Sequence, residues 1–264
     1  MIFAYSLNAL GMIAMPILLA FYVTRKFSLP WRLIFAGGMT FIVSQIFHIP
    51  FLYGLTAMFN SGVLPAIPEA WRTLFNAVLL GLLAGIFEET ARWILFKFIL
   101  KDAKTWEQGV VVGTGYGGTE ALIIGILALT SLASMVAMRS ADLAATVPPE
   151  QLEIARQKVA EFWSAPLYMA FMGFIERVFA ICLQISLTIM VLYSVVYRKP
   201  AWFWIALFWH AFVDAVSVYL LPIGGVLATE AFVGICAAIS LVILFQMRPR
   251  FVHLQVSDAS PVTG

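Results

Sequence analysis

Apolar positions along this chain gather into long runs separated by short polar stretches. Seven runs stand out, at 3–24, 31–53, 73–99, 108–133, 166–197, 201–221 and 226–247. Each approaches or exceeds the roughly 20 mostly apolar residues that a membrane-spanning helix needs. The pattern therefore predicts an all-α fold: a polytopic membrane helix bundle of about seven transmembrane helices. Residues 1–255 form a single integral-membrane domain, and the tail 256–264 reads as disordered. The first run has no positive charge before it and no small-residue cleavage site, so it is expected to stay as a true span.

Basic residues orient the bundle. Arg25, Lys26, Arg32, Lys97, Lys101, Lys104, Arg198, Lys199, Arg248 and Arg250 fall on one side, against Arg72, Arg139, Arg156 and Lys158 on the other. Cytoplasmic loops carry the excess of Lys and Arg, which predicts an outside N-terminus and a cytoplasmic C-terminus. Trp31, Trp106 and Trp202 then lie at the inner boundary, with Trp71 and Trp163 at the outer one, as interfacial anchors do. The substantial loop, 137–165, is on the outer side. From Pro149 onward it repeats Leu152, Ala155, Val159 and Phe162 at helical spacing, which predicts a short helix lying on the membrane surface.

Composition agrees with a lipid solvent: 62% of residues are hydrophobic and 11% charged, where a soluble domain carries about 25% charged residues. A net charge of +2, spread over loops, leaves no basic patch for nucleic acid. Cys182 and Cys236 both fall inside apolar runs and read as core residues, without a disulfide framework.

Against this background some charges are out of place. Glu88, Glu89, Arg92, Glu120, Glu176, Arg177, His210 and Asp214 all lie inside runs. A charge at mid-membrane costs roughly 2.5–3.5 kcal/mol on insertion scales, so it normally faces protein and has a partner. Counted inward from the outer ends, Glu88, Glu120, Glu176 and His210 sit about eleven to fifteen residues deep, within about two turns of one level at 1.5 Å per residue. Glycines share their faces: Gly81, Gly85, Glu88 and Arg92 form one stripe, Gly113, Gly117 and Glu120 repeat it, and Gly173 precedes Glu176. Small residues let helices approach closely in lipid, so each glutamate is expected at a tight interhelical centre.

Helix geometry suggests the pairings. Glu88 and Arg92 are i,i+4 and can pair on one face. Glu89 points elsewhere and needs another partner. Glu176 and Arg177, being adjacent, are expected to reach different neighbours. His210 and Asp214 are i,i+4, and a carboxylate there can orient the imidazole. His48, with Gln45 a turn before it, is a supporting candidate. Each grouping also has a plain structural reading, as a buried ion pair or a protonated acid bonding across helices.

Two motifs carry no such chemistry. Gly113, Gly115 and Gly118 have the spacing of a dinucleotide loop, but that motif needs a preceding strand and here lies in a membrane run. No H-E-x-x-H is present. The remaining carboxylates and histidine can act in two ways. A glutamate in a low-dielectric site can be basic enough to activate water, with a histidine donating to the oxyanion. Alternatively His210, Glu120 and Glu88 could hold a divalent metal such as zinc and leave a position for water.

Glu88-Glu89-Thr90-Ala91-Arg92 followed by His210-x-x-x-Asp214 resembles the motifs of the CPBP intramembrane proteases, which include the type II CAAX prenyl endopeptidases. Gly115-Tyr116-Gly117-Gly118-Thr119-Glu120-Ala121 and Glu176-Arg177 are more similar to the YhfC family of intramembrane proteases. The resemblance implies that Glu88 is the general base, that Glu89 and Arg92 hold its surroundings, and that His210 with Asp214 stabilises the oxyanion. It also implies an enzyme of a prokaryotic cell membrane, cleaving a membrane protein or a lipid-modified peptide. The chain departs from that family where histidine is common, at Tyr116 and near Gln184, and Glu120 is expected to take over part of such a role. These departures favour the glutamic-type reading, which requires no cofactor, over a metal-dependent one. The rival readings are a proton-coupled transporter with a Glu/His relay and a non-catalytic membrane scaffold.

Overall fold

The computed structural model describes residues 1–257, and every regular element among them is helical. In chain order these are α1 (Ile2–Phe27), α2 (Arg32–Asn60), α3 (Glu69–Ile94, continued by a wider turn at Leu95–Ile99), α4 (Trp106–Ser140), α5 (Leu143–Thr146), α6 (Pro149–Ser164), α7 (Met172–Val196, entered through a tight turn at Leu167–Phe171) and α8 (Ala201–Ser257). Of the tail expected to be disordered, Val256 and Ser257 continue α8, and 258–264 lie outside the described residues.

Local chemistry sets the boundaries. α1 stops at Ser28, which is left-handed (φ 53°), and the N–H groups of Ser28 and Leu29 close on the carbonyls of Arg25 and Thr24, the hydrogen-bonding of a helix stop. α4 opens with a capping box in which Thr105 and Gln108 exchange side-chain and backbone bonds, satisfying two otherwise orphan donors. α6 starts on Pro149, where a missing N–H costs nothing.

Six helical stretches are long and apolar enough to cross a membrane, the last being Ala201–Phe251. That last stretch is not one rod. Gly225 has φ 73° and ψ 179°, a conformation open essentially to glycine alone. Beyond it the chain folds back: Trp209 Nε1 donates to Ser240 Oγ at 3.0 Å, and the rings of Phe212 and Phe232 lie 5.9 Å apart. In a continuous helix residues 31 apart would be separated by about 46 Å. The two legs of α8 correspond to the runs 201–221 and 226–247 read from the sequence.

The bundle is built around α7. Leu187, Ile189, Met190, Val191 and Leu192 are wholly inaccessible, while the other long helices turn large apolar side chains such as Phe3, Phe35 and Tyr53 outward. Close packing runs along the glycine stripes. A Cβ on Gly81 would lie 2.4 Å from the Ala211 carbonyl oxygen, and one on Gly85 2.8 Å from that of Leu207, so α3 meets the first leg of α8 backbone to backbone. Gly113 and Gly117 admit α7 in the same way, at Ile185 and Gln184.

Two surface expectations resolve differently. The helix expected from Pro149 onward forms as α6, whose residues are all at least partly exposed. It is held by stacking of Tyr5 on Phe162 (4.5 Å) and by Arg139 over the Trp163 ring (4.7 Å). Trp106, placed by the sequence at the inner boundary, is buried against protein, and its Nε1 donates to the Leu244 carbonyl at 3.0 Å. Its position at the start of α4 faces the second leg of α8, a contact the hydropathy pattern does not register.

Candidate active site

The stripe on α3 that carries Gly81 and Gly85 ends in Glu88, Glu89 and Arg92, all three buried. Arg92 is completely enclosed. A buried guanidinium is tolerable only when its donors are taken up. Here Arg92 bonds the Glu89 carboxylate and the Gln184 side-chain carbonyl, and its planar group lies 3.7 Å above the Tyr116 ring. Glu88 is a more distant neighbour, with Oε2 at 3.6 Å from Arg92. The i,i+4 pairing expected from the sequence is thus the looser one, and the i,i+3 pairing to Glu89 is the tight one. The reason is that Gln184 on α7 and Tyr116 on α4 direct the guanidinium across the helix toward Glu89.

Glu89 has a second partner. His210 Nδ1 lies 2.7 Å from its Oε1, so Glu89 fixes the imidazole ring from the α3 side. The other nitrogen, Nε2, faces Asp214 Oδ2 at 3.5 Å and Glu88 Oε2 at 4.0 Å. The carboxylate that orients His210 most closely is therefore Glu89, with Asp214 completing the far side. Glu88 receives Gln45 Nε2 on Oε1 at 3.1 Å and Gln184 Nε2 on Oε2 at 3.4 Å. Less engaged by charged partners than Glu89, it borders the imidazole.

A second cluster joins the first. Glu120 on α4 accepts from Arg177 at 2.6 Å and from Gln184 Nε2 at 2.8 Å. Arg177 also bonds Glu176. Adjacency was expected to send those two residues to different neighbours, yet the flexible arginine stem curls back to its own predecessor while still reaching Glu120. Gln184 thus touches Arg92, Glu88 and Glu120 together and ties both clusters into one network.

The remaining supporting residues are peripheral. Tyr116 supplies the ring beneath Arg92 and shares a hydrogen bond with Ser44 at 3.1 Å. His48 stacks on Phe87 at 5.3 Å, and neither of its ring nitrogens has a partner. Sequence reasoning passed over the roles of Gln45 and Ser44, neutral residues that signal nothing until α2 is seen against α3 and α4. It also missed Glu230 on the second leg of α8, whose Oε2 is buried without a partner. An acid inside run 226–247 was a signal in itself.

The family model for the YhfC intramembrane metalloprotease matches residues 11–245. This chain belongs to that family. It is 30% identical over 232 residues to the uncharacterized membrane protein YhfC of Bacillus subtilis (strain 168), covering 86% of this chain and 88% of that protein. No solved structure matches it. As a family member with six membrane-length apolar helices, it is an integral membrane protein.

The family description implies a metal ion, and the donors of this chain test that. Glu120 spends its oxygens on Arg177 and Gln184. Glu89 is engaged through Oε1 by Arg92 and His210 Nδ1. That leaves its unpartnered Oε2, His210 Nε2, Glu88 and Asp214, with the fixed cation Arg92 beside both glutamates. Among the described residues no three His, Cys, Asp or Glu side chains are arranged to hold a metal ion. The trio His210, Glu120 and Glu88 does not form a ligand set in this arrangement, so no step below runs through a metal.

Proposed function

We propose that the chain is a glutamic-type intramembrane peptidase in which Glu88 activates water and His210 stabilises the oxyanion. The observation that carries this reading is the division of labour between neighbouring carboxylates. Glu89 Oε1 is taken by both Arg92 and His210 Nδ1, with its buried Oε2 unpartnered, whereas Glu88 has only neutral amide donors at hydrogen-bonding distance and faces His210 Nε2. In the reaction, the Glu88 carboxylate takes one proton from water as the oxygen attacks the peptide carbonyl carbon. The carbonyl electrons move onto oxygen, where the Nε2–H of His210 donates to the developing charge, the kind of preorganised donor that stabilises such intermediates. Collapse reforms the carbonyl, breaks the C–N bond, and returns the proton from Glu88 to the departing amine. Products are one carboxyl terminus and one amino terminus, and the enzyme is regenerated.

Substrate entry has a structural candidate. An apolar groove of about 450 Å³ between α2 and α3 is lined by Ser44, Phe47, Phe87, Thr90 and Ala91 among others. Its lining residues Ser44 and Phe87 are the chain neighbours of Gln45 and Glu88, and its apolar character supports a membrane-embedded or lipid-modified peptide as substrate. The orientation that the basic residues predict would put the less charged loops outside the cell.

Comparison of protein N-termini in membranes from cells carrying wild type and Glu88→Gln, at equal expression, tests this reading. Termini present with wild type and missing with Glu88→Gln are expected. Identical sets, with both proteins folded, would count against a peptidase.

A further inference from the structure

The proposed hydrolysis needs water at a carboxylate that is only 8% exposed, inside a bundle whose lateral groove is apolar. The second cluster offers a way in. Side-chain exposure falls along one connected series, from Glu176 (40%) to Glu120 (18%) to Glu88 (8%) and finally Glu89 (0%). Single side chains bridge each step: Arg177 bonds both Glu176 and Glu120, Gln184 Nε2 bonds both Glu120 and Glu88, and Arg92 lies beside both Glu88 and Glu89. The wide end lies near the start of α7 and just after the Gly225 reversal of α8, at the same end of the bundle.

Two polar atoms at that end point to an unseen occupant. Arg177 is 6% exposed, and its Nε has no partner. Glu230 lies one turn before Gly234, which packs against Phe179 of α7, and has an inaccessible Oε2 that is also unpartnered. A buried donor or acceptor left unsatisfied costs about 1–3 kcal/mol, and ordered water is the usual remedy in polar pockets. One donor N–H and one carboxylate oxygen in the same cluster match the two faces of a water molecule.

We propose that Glu120, Glu176, Arg177 and Glu230 line a hydrated inlet that delivers the reacting water to Glu88, separate from the apolar route taken by substrate. This rests on the hydrolytic reading above. Asp214, 38% exposed on the other side of His210, marks the competing entry.

The test uses full-length protein in liposomes with Cys182 and Cys236 replaced by alanine. Single variants Glu176→Cys and Glu230→Cys are treated with a small, charged, water-soluble methanethiosulfonate. Val178→Cys and Ile235→Cys, outward-facing positions close by on the same two helices, serve as controls. Mass shifts are expected at both inlet positions and at neither control, and the labelled inlet proteins are expected to lose cleavage. Absence of label at both inlet positions, in proteins with wild-type elution and helicity, would overturn the inlet. Full labelling with undiminished cleavage would overturn its delivery role and favour entry beside Asp214. Because labelling is read by mass, it stands apart from the hydrolytic reading, which is tested by the cleavage of Glu88→Gln against wild type.

Discussion

At the scale of single residues, the site pairs its buried charges with one another and leaves Arg92 Nε and Glu89 Oε2 without a protein partner. Arg92 cannot leave its pocket, so its donors decide what surrounds it: Glu89 and Gln184 bond it, and Tyr116 covers one face. Replacing Arg92 by leucine would leave Glu89 as a buried carboxylate held only by His210. Breaking a buried pair in this way costs about 3–5 kcal/mol, so Arg92→Leu is expected to unfold at a clearly lower temperature in detergent than Glu88→Gln. Equal melting of the two variants would show that Arg92 carries no such structural duty. The sequence announced Glu88, Arg92, His210 and Asp214 because ionisable residues are conspicuous in apolar runs. Which glutamate Arg92 prefers was hidden, because both are within helical reach and the choice is made by Gln184 and Tyr116 from other helices. Gln184 itself could not be recognised as a hub, since an amide in an apolar run costs far less than a charge and gives no direction.

Among elements, the glycine stripes and the break in α8 position the chemistry. Gly81 and Gly85 bring α3 onto the first leg of α8, which is what lets Glu89 reach His210 at 2.7 Å. These contacts were legible as small residues sharing a face with glutamates. The reversal at Gly225 was legible only as a gap between two apolar runs. Its glycine-only backbone conformation was not, because nothing in hydropathy distinguishes a tight reversal from an ordinary loop. Gly225→Ala is expected to destabilise the protein by about 1–3 kcal/mol through backbone strain, although no neighbouring atom obstructs the added methyl. Thermal unfolding of this variant beside wild type measures that strain, since the added methyl meets nothing within 4 Å. Unchanged stability at 225 would mean that the reversal does not depend on the conformation seen here.

For the molecule as a whole, long apolar runs made the membrane helices readable at once, since lipid demands nearly continuous hydrophobic length. The central place of α7 was not readable: its run is no more distinctive than the others, and only the packing shows its middle turns enclosed on all sides. The enclosure matters for function, because α7 carries both Gln184 and Arg177 and so links the two polar clusters. On the reading proposed above, this network activates water through Glu88 without a metal ligand set. The most direct measurement is cleavage, by purified protein in liposomes, of a peptide spanning a site that depends on wild type in cells, after exhaustive chelation. Wild type is expected to keep its rate, and Glu88→Gln to fall by about 10²–10⁴-fold, the usual contribution of a positioned acid–base group. Loss of wild-type cleavage on chelation with recovery on adding zinc, or undiminished cleavage by Glu88→Gln, would contradict it.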